Sequence, residues 1–337
     1  NDSSCLKNCD DENSIVIIAT HENAQREIAH TIRSLFEGNI VCLRETFIND
    51  LIFEDVMKHR LNNGVLSVSY ADIPNMGDQL NPFILKNIFG YSVCYENSRY
   101  CNMAGIGSGL GDFFREKKAL YYASYPVSIV GMGFLNDVHL ENMHAMRNMK
   151  FYGVRGHKTL NKLEDFYGKE INCTIGDPGL LTYFLSKNVD KKYSIGIIPH
   201  WRELDLKVYK DLEKDLPNSL IIDVTKETES VLKKIEECEA IISSSLHGCI
   251  VADAFGVPNI LVKMSERPLG DGFKYSDYYS IFGEEYKVRK IGEYGKVSLK
   301  RIENEYFIDR TIVKDKAYEL KEMFKKCITE MKQLNSQ

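Results

Sequence analysis

The chain has 337 residues, 44% of them hydrophobic and 27% charged, with a formal net charge of -5. That length exceeds what one hydrophobic core comfortably serves, so two domains are expected, and the composition is that of a globular chain. The negative balance argues against general nucleic-acid binding, which draws on a cationic surface, and no apolar run approaches the roughly 20 residues that span a bilayer.

The opening residues are polar and acidic and lack the basic-then-apolar order of a signal peptide. Nine cysteines are scattered from Cys5 to Cys327 without a CxxC pair or a matching histidine spacing. A reduced, cytoplasmic protein without metal or cofactor is the expectation. Asn1-Asp2-Ser3 and Asn172-Cys173-Thr174 fit the glycosylation acceptor pattern, which is too common to inform alone.

Residues 1 to 64 hold a strand-helix unit from Ser14 to Gly38 and a helix near 48 to 61, to which the sequence attaches no chemistry. Short apolar runs then recur with helical stretches between them: 65 to 69, 103 to 108, 127 to 134, 151 to 154, 193 to 199, 219 to 224, 240 to 245 and 259 to 264. Strands that are apolar throughout, rather than alternating, are buried on both faces, which indicates parallel sheets covered by helices. The fold class is therefore α/β. The polar run Asn188 to Lys192 separates two such series, so a Rossmann-like domain is expected over 1 to 187 and another over 193 to 310. The last helix, about Thr311 to Leu334, spaces Val313, Ala317, Leu320, Phe324, Cys327, Met331 and Leu334 along one face, which must pack on a domain. Residues 311 to 337 are expected to cross back onto the first domain.

Candidate site residues follow in chain order. In NMGDQLNP (75 to 82), Asn81 reads as an N-cap with Pro82 at the first helical position, which leaves Asp78 to face a pocket or to satisfy the turn. GIGSGLGD (105 to 112) fails the dinucleotide pattern because Leu110 and Asp112 stand where glycines are required. It remains a loop of small residues that either admits a ligand or makes a tight turn. Arg155, between Gly153 and Gly156, sits where a strand ends, the edge at which open α/β sheets bind ligands. Its guanidinium suits a carboxylate or phosphate; a surface arginine is the other reading. Asp177 before Pro178 reads as a structural helix start. His200, Trp201 and Arg202 end a strand and either contact substrate or lie exposed.

In SSSLHG (243 to 248), Ser245 is a plausible N-cap, placing Leu246, His247 and Gly248 in the first helical turn. Free N–H groups and the dipole make such a start an anion site, where His247 can donate to a phosphate or move a proton. A packed or solvent-facing histidine is the alternative.

SSSLHG followed by ADAFGVP (252 to 258) resembles the signature of the polysaccharide pyruvyl transferase family. NMGDQLNP, GVRG (153 to 156), GDPGLL (176 to 181) and FKYSDYYSIFG (273 to 283) are similar to further segments of that family in the same order. The resemblance implies a GT-B-like fold, two Rossmann-like domains facing a cleft. It implies transfer of the pyruvyl group of phosphoenolpyruvate, as co-substrate, to two hydroxyls of a sugar in a polysaccharide or its lipid-linked precursor, at the cytosolic face of the membrane. His247, Arg155 and Asp78 would be catalytic, and Arg155 with Ser244, Ser245, Leu246, His247 and Gly248 would hold phosphoenolpyruvate. Asp78, Asn81, His200, Trp201, Arg202 and Lys274 would face the acceptor. The competing readings are a GT-B glycosyltransferase using a nucleotide sugar and a non-catalytic glycan-binding or scaffold protein.

Overall fold

Runs that are apolar throughout become strands with both faces covered: all four residues of Val127–Val130 are buried, as are the last four of Cys238–Ser243. A computed structural model describes residues 15–19, 28, 39–43, 45–116, 126–283, 289–290 and 297–335. Apart from residue 28, the helical part of the unit expected from Ser14 to Gly38 lies outside the described residues.

In chain order the elements are β1 (Ile15–Ala19), β2 (Asn39–Leu43), α1 (Glu45–Asn62), β3 (Val65–Ser69), α2 (Met76–Phe89), β4 (Ser92–Tyr95), β5 (Met103–Ala104), β6 (Phe114–Arg115), β7 (Val127–Val130), β8 (His144–Ala145) and β9 (Met149–Val154). There follow α3 (His157–Tyr167), β10 (Thr174–Ile175), β11 (Tyr193–Ile198), α4 (Lys207–Asp215), β12 (Ser219–Ile221), α5 (Thr228–Glu236), β13 (Cys238–Ser243), α6 (Leu246–Phe255), β14 (Asn259–Lys263), α7 (Phe273–Tyr279), β15 (Arg289–Lys290), α8 (Leu299–Glu305) and α9 (Arg310–Asn335).

Six strands form one sheet in the order β10-β9-β7-β5-β3-β4 and five form another in the order β12-β11-β13-β14-β15. Every pairing in both is parallel, the α/β arrangement expected of strands buried on both faces. β1 and β2 pair with each other, Ile15 opposite Asn39, in a two-stranded sheet of their own.

The expected strand at 103 to 108 stops pairing after Ala104. From there the chain is held from the side: Asn81 accepts from the Ile106 N–H at 2.7 Å and donates to the Ile106 carbonyl at 3.0 Å. Asn81 is also not the cap of α2. That helix starts at Met76 with Asn75 extended before it, and Pro82 lies inside it. Proline has no N–H to give to the carbonyl four residues back. The Asn81 amide supplies the missing donor, reaching the Asp78 carbonyl at 3.0 Å.

One buried cluster runs from Leu66 and Val68 of the first sheet, through Leu180 and Leu181, to Ile198, Ile241 and Ile250 of the second. α9 joins it, burying Val313, Ala317, Leu320, Phe324, Cys327 and Met331. It packs against β7, β9 and β10, and Phe324 stacks on Phe89 at 5.2 Å between ring centres. Leu334 breaks the pattern and is exposed.

Candidate active site

In each large sheet the chain reverses direction across one strand. From β3 it moves outward to β4 and then returns past β3 to β5; from β11 it moves to β12 and then returns to β13. The carboxyl ends of strands at such reversals leave a crevice, the usual ligand site of open α/β sheets. Here both crevices contribute to one cavity of about 500 Å³. Asn75 and Asp78 follow β3, Gly107 to Gly109 follow β5, His200 to Arg202 follow β11, and Leu246 with His247 follow β13. Lys274 completes the charged lining with Asp78, Asp112 and Arg202. The volume falls within the range of small-molecule sites.

His247 is the second residue of α6, after Ser245 in extended conformation and Leu246. Its side chain is 14% exposed. A Cβ on Gly77 would overlap the imidazole at Nδ1 and Cγ, so the ring packs directly on the start of α2. Burial holds its pKa down to about 4, with the nearby Asp78 pulling up and Lys274 and Arg155 pulling down. The ring is therefore neutral at pH 7 and able to accept a proton. The N–H groups of Leu246, His247 and Gly248 precede the first helical bond, from Cys249 N to Ser245 O at 3.3 Å. Ser245 makes no side-chain cap.

Asp78 lies in the first turn of α2 and accepts from Asn75 Nδ2 at 2.6 Å. Burial raises its carboxyl pKa, against the pull of Asn75, His247 and Lys274. Lys274, second residue of α7, is pushed down to about 8 by burial, with Arg155 pushing the same way and Asp78 opposing. His200 is brought to about 4, chiefly by burial. Its ring stacks with Trp201 at 5.9 Å, and the Arg202 guanidinium lies 4.7 Å over the Trp201 ring.

The remaining candidates stand behind this wall. Arg155 follows β9 as expected but is only 1% exposed and does not line the cavity. Its Nε donates to Asp277 at 2.9 Å, Nη1 to the Ser108 hydroxyl at 2.9 Å, and Nη2 to the Phe134 carbonyl at 2.6 Å. It braces the glycine loop from beneath. Asp277, also bonded by the Thr159 N–H at 2.8 Å and hydroxyl at 2.7 Å, is fully buried. The Ser244 hydroxyl donates to the buried Glu203 at 2.6 Å and accepts from the His200 N–H at 2.8 Å, which leaves it nothing for a substrate phosphate. Gly248 packs against Ser243 and Ile198. Asn81 is buried and spent on Asp78 and Ile106. Of the residues expected at the site, the cavity is thus lined by Asp78, His200, Trp201, Arg202, Leu246, His247 and Lys274. Sequence reasoning left Ser108, Asp112 and Asn136 of that lining unassigned. The small-residue loop after a strand was the available signal for the first two.

The family model for polysaccharide pyruvyl transferases matches residues 43–266, about two thirds of the chain. The chain belongs to this family. The match takes in Asp78, Arg155, Asp177, His200, Trp201, Arg202 and the segment from Ser244 to Gly248, and ends before α7 and its Lys274. Among curated proteins, the succinoglycan biosynthesis protein ExoV of Rhizobium meliloti is 27% identical over 220 residues, 64% of this chain and 64% of that protein. An uncharacterized protein of Acanthamoeba polyphaga mimivirus is 34% identical over 168 residues, 47% of this chain and 55% of that one. The chain therefore spans less than two thirds of either relative. Among the described residues no helix is long and apolar enough to cross a membrane, and no three His, Cys, Asp or Glu side chains are grouped to hold a metal ion.

Proposed function

We propose that this family member transfers the pyruvyl group of phosphoenolpyruvate to a pair of hydroxyls on a sugar, in a polysaccharide or its lipid-linked precursor, releasing phosphate. The observation that carries the reading is the convergence of both sheets' crevices on one cavity where a helix start, a lysine and a proton-accepting histidine meet. On this reading the two sheets are the halves of a GT-B-like cleft. The phosphate sits on the first turn of α6 with the Lys274 ammonium beside it, and the sugar enters from the side of Asp78, Trp201 and Arg202.

The chemistry adds the first sugar hydroxyl across the double bond of phosphoenolpyruvate, its proton going in net to the methylene carbon and its oxygen to the neighbouring carbon. The bond to the phosphate oxygen then breaks, and the second hydroxyl closes the ketal while its proton leaves with the phosphate. Neutral His247 takes a hydroxyl proton and passes it to the departing phosphate. Asp78 orients the acceptor hydroxyl. Lys274 and the α6 N–H groups balance the charge that the phosphate gains. Arg155 acts one step back, by holding the Gly107–Ser108 wall in place.

The test is phosphate release from phosphoenolpyruvate with a panel of galactosides, glucosides and mannosides, with products read by mass spectrometry. Acceptor-dependent release and a pyruvyl ketal on one sugar are expected, and His247→Ala should abolish both while leaving the unfolding midpoint near that of the parent. Thermal stabilisation by a nucleoside diphosphate but not by phosphoenolpyruvate would overturn the proposal in favour of a nucleotide-sugar transferase.

A further inference from the structure

Asp177 caps the 3₁₀ helix Pro178–Leu185, but the cap occupies half of its carboxylate. Oδ1 accepts from Gly179 N at 2.8 Å, whereas Oδ2 has no hydrogen-bond partner although the residue is fully buried. A buried carboxylate oxygen without a donor is costly, and such atoms are rare in folded proteins. Facing it at 3.9 Å is the Nε2 of His247, which is also buried and also without a partner. One atom comes from the chain leaving β10 of the first sheet and the other from the helix leaving β13 of the second.

We propose that Asp177 is the positioning residue of His247: its Oδ2 takes the Nε2–H, fixes which nitrogen carries the proton, and leaves Nδ1 as the proton-accepting atom. The proposal rests on the reading of His247 as the proton-transfer group. Both members are held where this requires. A Cβ on Gly131, whose φ is +97°, would overlap the ring of Pro178, so the chain beside Asp177 has little freedom. The imidazole meets Gly77 on its Nδ1 side, at the start of the helix that carries Asp78. The separation exceeds a hydrogen bond by about 1 Å, and both atoms are closed off from solvent. A small approach of the two halves around bound substrate closes it, as catalytic hydrogen bonds commonly tighten on binding. Burial lifts the Asp177 carboxyl only to about 6, so at neutral pH it is an anion facing a neutral ring. When Nδ1 takes a hydroxyl proton, the positive charge formed on the imidazole lies against that carboxylate until the proton passes to phosphate.

Asp177→Asn separates positioning from capping. Asparagine is as good a cap and keeps the bond to Gly179, but it presents an NH₂ to Nε2 and so favours the Nδ1–H form. In protein labelled with ¹⁵N-histidine, with signals assigned by their loss in His247→Gln, the parent should show His247 as Nε2–H and Asp177→Asn should shift it toward Nδ1–H. Turnover should fall on the order of a hundredfold or more, with KM for phosphoenolpyruvate nearly unchanged. A parent ring in the Nδ1–H form, or His247 nitrogen shifts that Asp177→Asn leaves alone, overturns the proposal. The parent spectrum decides the matter even if the variant does not fold. Because that spectrum needs no turnover, absence of pyruvyl transfer would count against the proposed reaction and not against the pairing.

Discussion

On the proposed reaction, Lys274 is expected to set the alkaline limit of this site. A lysine is cationic below its pKa, and burial beside Arg155 brings that value down to about 8. The charge proposed to meet a substrate phosphate is therefore present at pH 7 and lost as the pH rises through about 8. The value of kcat/KM for phosphoenolpyruvate is expected to fall with a midpoint near there, and Lys274→Arg, which keeps its charge, should carry that limb to higher pH. Lys274→Ala removes a charge-assisted bond of about 1.5 to 3 kcal/mol, or about tenfold to hundredfold in kcat/KM at pH 7. A parent profile flat to pH 10 would exclude the lysine as the titrating group. His247 and His200, both near 4, put no limb between pH 5 and 8. At this scale the sequence was informative about place and uninformative about depth. Arg155 was legible as a strand-end residue, but nothing in GVRG states that its guanidinium is enclosed by Asp277, Ser108 and Phe134. Asp177 was legible as a cap through its proline, while its second oxygen faces a residue far along the chain.

At the scale of elements, α2 is bent to two tasks at once. Its Gly77 gives room to the His247 ring, and its Asn81 repairs the bond that Pro82 omits while clasping the chain after β5. Gly77→Ala would ordinarily favour a helix by about 0.5 to 1 kcal/mol. Here the methyl overlaps His247, so a fall in turnover larger than any change in the denaturation midpoint is expected, measured by parallel assays and urea titrations. Undiminished turnover would mean that the ring can shift without consequence. Asn81→Ala strands the Asp78 carbonyl and both backbone groups of Ile106, at about 1 to 3 kcal/mol for each group left unsatisfied. A loss of several kcal/mol should appear by chemical denaturation. The strands of the large sheets were legible because they are apolar throughout, and β3 fell where its run predicted. The start of α2 was not: a proline at a helix's seventh residue reads as a first-turn proline unless the compensating Asn81 amide is known.

For the molecule as a whole, the two sheets share one buried cluster, and each also has a smaller one of its own. The start of α2 is tied to the other half by Met76 N to the Val224 carbonyl at 2.7 Å, and the buried cluster passes without a break from β3 to β13. α9 belongs to the late sequence yet lies on β7, β9 and β10, with Leu320 fully buried against Gly176 and Phe324 on Phe89. Gly176 immediately precedes Asp177, so the last helix supports the segment that faces His247. Leu320→Ala leaves a cavity at this junction and should cost about 2 to 5 kcal/mol. If the interior is one cooperative unit, that loss lowers hydrogen-exchange protection in β11 and β13 as well as in β7 and β9, and unfolding stays a single transition. Protection lost from the first sheet alone would show instead that the halves open independently, and the cavity between them could then open without unfolding either sheet.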